Sequence, residues 1–163
     1  MQTYKSPEAL TNEITCTEIS GSQDKAAVFI ATGSQIKGVT KRGKDFFRLE
    51  TSHTEQIRYL HVLGTNLWSA GDYTLNCYAS SNNKIADKYY YVSDDKINSM
   101  LVHHGDLSQS GNTMDPYVLL ACNDSTLRII CSNGKLFYQT NLEASPTCLT
   151  MLDTSQSQSA DLD

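Results

Sequence analysis

Four segments that open on similar words recur along this chain: Ile14-Thr15-Cys16-Thr17, Ile57-Arg58-Tyr59-Leu60, Ile97-Asn98-Ser99-Met100 and Thr147-Cys148-Leu149-Thr150. Their starts lie 43, 40 and 50 residues apart. Each interval holds runs rich in Val, Ile, Tyr, Phe and Thr, separated by Gly, Asn, Ser and Asp, the make-up of strands and tight turns. Four strands in a period of about 40 to 45 residues is the spacing of β-propeller blades, and such a unit buries its apolar faces only by stacking on neighbours.

The candidate strands are 26–32, 34–40 and 44–50 in the first unit and 57–63, 66–70, 72–79 and 88–92 in the second. The third unit offers 97–103, 117–122, 125–131 and 134–140, and 147–152 opens another. Val28-Phe29-Ile30-Ala31 aligns with Val118-Leu119-Leu120-Ala121, and Ile36-Lys37-Gly38-Val39 with Leu127-Arg128-Ile129-Ile130. Gly43-Lys44-Asp45-Phe46 then meets Gly134-Lys135-Leu136-Phe137 with one residue of offset. Leu67-Trp68-Ser69-Ala70 looks like the matching strand of a more diverged middle copy. The longest interval contains an extra loop, Gly105 to Pro116, rich in Gly, Ser, Asn and Asp.

Ser132-Asn133-Gly134-Lys135 carries an Asn-Gly pair, which predicts a two-residue hairpin turn with φ > 0 at both central positions. Lys41-Arg42-Gly43-Lys44 occupies the matching place in the first unit. The fold expected is all-β: a partial β-propeller over 1–152, with about three four-stranded antiparallel blades. An ordinary antiparallel sandwich with accidental internal similarity is the alternative. Residues 153–163 (DTSQSQSADLD) are polar and acidic, and read as a disordered tail. Three blades do not close a ring of the usual four to eight, and an open array leaves sheet edges unpaired. The sequence therefore reads as part of a larger propeller.

Thirteen Lys and Arg against eighteen Asp and Glu give a net charge of −5 in 163 residues, which argues against a general nucleic-acid binder. No apolar run approaches the roughly 20 residues of a membrane helix, and the first residues lack a signal-peptide core. Five cysteines, an odd number without a C-x-x-C pair, read as reduced thiols, mostly buried in strands. A soluble intracellular protein is expected.

Chemistry-bearing constellations are sparse. His103-His104, with Asp106 nearby, lacks the further ligands a zinc site needs. Adjacent Asp94 and Asp95 read as a turn between an outer strand and the next inner one. Asp115 and Asp124 form a second acidic pair. No G-x-S-x-G elbow, dinucleotide fingerprint or phosphate loop is present, so neither an enzyme nor a cofactor is expected. The densest charge feature is Lys37, Lys41, Arg42, Lys44 and Arg48. It is either a binding surface for an acidic partner, a lipid head group or RNA, or a solvated hairpin that resists edge pairing. The candidate interaction surface is Lys41, Arg42 and Lys44 with His103 and His104. Trp68 and most of the nine tyrosines are expected to pack between blades.

Three strings carry a family resemblance: Ser34-Gln35-Ile36-Lys37-Gly38-Val39-Thr40-Lys41-Arg42-Gly43-Lys44, Ser93-Asp94-Asp95-Lys96-Ile97-Asn98, and Leu120-Ala121-Cys122-Asn123-Asp124-Ser125-Thr126-Leu127-Arg128. In this order and spacing, from about Ile14 to Leu152, they resemble the Bardet–Biedl syndrome seven family of BBSome subunits. The resemblance implies a piece of an N-terminal β-propeller in a coat-like adaptor that moves membrane proteins into and out of cilia with intraflagellar transport. It implies other BBSome subunits as partners, especially the second and the ninth, and chaperonin-like assembly factors. Membrane contact would be indirect, through the complex and an Arf-like GTPase, with no nucleic acid. It implies a cytoplasmic and ciliary location, including the ciliary membrane and basal body, and carries no catalytic residues. Two other readings compete: a quinoprotein-like propeller enzyme, suggested by Gly134-Lys135-Leu136-Phe137, and a propeller scaffold of another transport complex.

Overall fold

The computed structural model describes residues 14–20, 26–52, 55–81, 84–104 and 115–152. Among these residues twelve strands form three antiparallel sheets of four. Blade one is β1 (Ile14–Ser20), β2 (Ala27–Thr32), β3 (Gln35–Thr40) and β4 (Asp45–Glu50). Blade two is β5 (Tyr59–Leu63), β6 (Asn66–Ala70), β7 (Thr74–Ser81) and β8 (Lys84–Val92). Blade three is β9 (Ile97–His104), β10 (Pro116–Cys122), β11 (Thr126–Ile130) and β12 (Leu136–Asn141). Each sheet runs in sequence order, an up-and-down meander, and the first strands are neighbours: β1 beside β5, and β5 beside β9.

Alternation within each strand supplies two faces per blade, and those faces interlock in two cores. Phe29, Ala31 and Ile36 of blade one meet Leu60, Leu67 and Tyr78 of blade two. Trp68, Ala70, Leu75 and Cys77, on the other face of blade two, meet Val118, Leu120, Cys122 and Ile130 of blade three. Of the three isoleucines that open repeats, Ile57 and Ile97 are fully buried in these cores, whereas Ile14 is exposed. Trp68 is a core residue, as its sequence context predicts, and its indole N–H donates to Tyr89 Oη at 2.8 Å.

The junctions repeat. The residue leaving or following each outer strand donates its N–H to the turn between the second and third strands: Thr51 to Ser34 O, Ser93 to Tyr73 O and Leu142 to Ser125 O. Ile57 N–H then donates to Gly33 O, and Ile97 N–H to Asp72 O. These bonds put the start of each new blade at the same end of its predecessor. The ends of the first and third strands, and the β3–β4 and β11–β12 turns, therefore share the opposite face.

Three expectations are corrected. Segment 147–152 forms no strand; it lies beside β9, where Leu149 N–H donates to Ser99 Oγ at 3.0 Å, and has no ladder partner among the described residues. The strand expected at 88–92 begins at Lys84, paired across to Ser81. The Asn-Gly turn is not the two-residue type: only Gly134 has positive φ, at 80°, and its N–H closes onto Cys131 O. Ser132 and Asn133 form the turn, and Gly134 takes the left-handed bulge position that a three-residue hairpin requires. The tail 153–163 and most of the Gly105–Pro116 loop lie outside the described residues.

Candidate interaction surface

Lys41, Arg42 and Lys44 occupy the β3–β4 turn, all exposed, held by Thr40 N–H to Lys44 O at 2.9 Å and Gly43 N–H to Thr40 O at 2.8 Å. His103 and His104 end β9. The His103 ring meets Tyr117 edge-on at 5.3 Å, and His104 is exposed. By the shared polarity of the blades, both groups belong to one loop face, but on blades one and three, with blade two between them. The fold thus places the five residues on a common face without bringing them into contact. Asp115 and Asp124 are separated: Asp115 precedes β10 and accepts from Ser132 Oγ at 3.2 Å, whereas Asp124 follows it, at the other end of the blade.

The strongest polar chemistry lies at the junctions. Arg128, 2 % exposed, donates to Ser93 Oγ and to Asp124 Oδ2, each at 2.6 Å. Burial works against its charge, but Cys122, Tyr91 and Asp124 outweigh burial and hold the guanidinium above its ordinary value. Glu55, in the linker from blade one, receives the N–H groups of Asp72, Tyr73 and Thr74 at 2.8–3.0 Å, and the Thr74 hydroxyl at 2.5 Å. Partial burial raises its carboxyl, and the donors from Thr74, Tyr73 and Asp72 outweigh this to hold it below its usual range. Gly71 makes that approach possible, since a Cβ there would stand 2.5 Å from Glu55 Cγ.

Sequence reasoning missed these junction groups. A usable signal existed: an arginine inside the apolar run Leu127–Ile130, four residues after an aspartate across a turn, has its partner within reach. For the thiols the expectation holds in part. Cys77 and Cys122 are buried, Cys131 is half-buried and Cys148 is exposed. On the inner side, a groove of about 280 Å³ runs between the first strands, lined by Glu18, Arg58, His61, Met100 and Val102 among others. His61 Nδ1 stands 3.1 Å from Glu18 Oε1, linking blades one and two.

Four-stranded meanders stacked face to face, with their first strands side by side and each junction stapled by a linker side chain, define a β-propeller. This chain is a three-blade portion of one. The family model described as the BBS7 beta-propeller matches residues 1–162, and the chain belongs to that family. It is 34% identical over 124 residues to the mouse (Mus musculus) BBSome complex member BBS7, covering 76% of this chain and 16% of that protein. To the Caenorhabditis elegans BBSome complex member bbs-7 it is 24% identical over 132 residues, covering 81% and 17%. The chain thus spans about a sixth of the length of these curated relatives. Among solved structures, BBS1N in complex with ARL6DN superposes with a TM-score of 0.65 at 13% identity, covering 86% of this chain and 43% of that one. The Neurospora crassa Pan2 WD40 domain gives 0.60 at 14%, covering 90% and 43%. At these identities the two structures speak for the fold alone.

Proposed function

We propose that this chain is part of a non-catalytic scaffold subunit of the BBSome, the coat-like adaptor that carries membrane proteins to and from cilia with intraflagellar transport. The single observation that carries the reading is membership of the BBS7 propeller family, whose relatives bear the name BBSome complex member. The side-chain chemistry is consistent with it. Glu55 and Arg128 serve blade-to-blade junctions.

A stapled array of this kind presents rigid loops to other proteins. In this reading the partners are other BBSome subunits, the second and ninth foremost, with chaperonin-like factors assisting assembly. The protein works in the cytoplasm, at the basal body and at the ciliary membrane, which it reaches through the complex. Lys41, Arg42 and Lys44, with His103 and His104, are the contact candidates on the loop face. The test is affinity capture of the tagged full-length protein from ciliated cells, with mass spectrometry of what accompanies it. Recovery of the other BBSome subunits is the expected result; a protein that purifies without them overturns the reading.

A further inference from the structure

Blades one and three close their outer hairpins with the same backbone geometry. Cys131 N–H donates to Lys135 O and Gly134 N–H to Cys131 O, both at 2.9 Å, as Thr40, Lys44 and Gly43 do in blade one. Gly43 and Gly134 adopt φ of 78° and 80°. Blade three builds this turn from Ser132, Asn133 and Lys135, and Asn133 Oδ1 accepts the Lys135 N–H at 3.0 Å. Blade one sets Lys41, Arg42 and Lys44 in the same three places, and Thr40 Oγ1 takes the corresponding N–H at 3.1 Å.

The turn therefore does not require the two additional cations. Arg42 stands where the intrinsically better turn residue, Asn, serves blade three. Edge protection, the ordinary use of Lys on an outer strand, accounts for Lys44 beside β4. It does not account for Lys41 and Arg42, which stand at the tip beyond the ladder.

We propose that the blade-one hairpin tip docks an acidic segment of a partner protein. The chain as a whole carries a charge of −5, so a tip with three cations is set against an acidic remainder. An anionic bilayer or a nucleic acid is a broad polyanion and would bring that remainder within a Debye length of about 8 Å, where it repels. A short acidic segment meets the tip alone. Phe46, half exposed two residues beyond Lys44, offers apolar contact beside the charges. The inference deepens the scaffold reading and rests on it for the nature of the partner, a protein.

The test is an anisotropy titration of the full-length protein with a labelled peptide of alternating Glu and Ser, against the same peptide with Gln in place of Glu. The Glu peptide is expected to bind, the Gln peptide not, and added NaCl to weaken the binding. The double substitution Lys41→Ser, Arg42→Asn writes the blade-three turn into blade one. It should weaken the Glu peptide roughly two- to thirtyfold, the worth of two exposed ion pairs, without lowering the unfolding temperature. Equal binding by the variant overturns the proposal, and so does equal binding of the two peptides. Phosphatidylcholine–phosphatidylserine vesicles form the last arm: capture that the double substitution abolishes, without peptide binding, overturns it in favour of a lipid surface. Capture of BBSome subunits by the unsubstituted protein remains a separate readout. Its failure removes the scaffold reading, while the titration judges the hairpin itself.

Discussion

The hydroxyl of Tyr59 donates to the backbone carbonyl of Asn98 at 2.6 Å, tying the first strand of blade two to the first strand of blade three. The Asn98 side chain continues the chain of contacts, its Nδ2 donating to Ser145 Oγ at 3.2 Å and to Pro146 O at 3.0 Å. One residue thus holds blade three between the strand before it and the segment after it. Among the described residues the blades share no ladder hydrogen bonds, so such side-chain ties, the junction backbone bonds and the apolar faces carry the stacking.

Tyr59→Phe removes the tie and leaves the ring. The expected cost is about 1 kcal/mol, the net worth of one hydrogen bond. Equilibrium urea unfolding with an unchanged slope checks it, and an unchanged midpoint refutes it.

Arg128 couples the Ser93 linker of blade two to the Asp124 turn of blade three. Arg128→Met leaves Asp124 without its buried cation and should cost about 3 kcal/mol, the low end for breaking a buried pair, because the Asp124 side chain keeps 28% exposure. Adding Asp124→Asn should restore part of the loss. A double variant as unstable as the sum of the two singles would show that the pair is not coupled.

Glu55 predicts a pH dependence with a definite sign. Its carboxyl is lower in the folded protein than its ordinary value of 4.5, so the folded state favours the ionised form. The stabilisation is complete above that ordinary value and is lost as pH falls through the lowered folded value. Glu55→Gln should therefore destabilise at neutral pH by about 1.5 kcal/mol, the low end for hydrogen bonds to a charged group, and flatten the acid limb of the stability curve. Parallel acid limbs in the two proteins would contradict this.

The thiols should separate by reactivity. Burial pushes Cys77 up to about 11, so it is almost wholly protonated at neutral pH, and the thiolate is the reacting species. Exposed Cys148 should be alkylated by iodoacetamide in the native protein, with Cys77 and Cys122 modified only after unfolding. Peptide mapping after a timed quench reads the order directly.

Much of the fold was legible because blades are local. The alignment of Val28–Ala31 with Val118–Ala121 pairs second strand with second strand, and Trp68-Ser69-Ala70 is the second strand of blade two. The misreadings have physical causes. The start of β8, Lys84-Ile85-Ala86-Asp87, carries little strand signature on its own; it is a strand because Ser81 to Tyr78 lie across from it. Segment 147–152 has strand composition, but a strand exists only with a partner, and none of the described residues supplies one. The Asn-Gly turn was placed correctly and typed wrongly, since a bulge between Ile129 and Ile130 adds the residue that changes its class.

The candidate surface divides in the same way. The positions of Lys41, Arg42, Lys44, His103 and His104 at strand ends follow from sequence, because a period-2 pattern and its turns are properties of the chain alone. That they share one face is tertiary, set by the bonds of Ile57 to Gly33 and Ile97 to Asp72 that give every blade the same polarity. The junction roles of Glu55, Asn98 and Arg128 are tertiary too. Their partners lie 17 to 48 residues away across Glu55–Asp72, Asn98–Pro146 and Arg128–Ser93. Repeat length and alternation determined that this chain makes propeller blades; which polar side chains lock one blade to the next was decided only when stacking brought distant turns within hydrogen-bond reach.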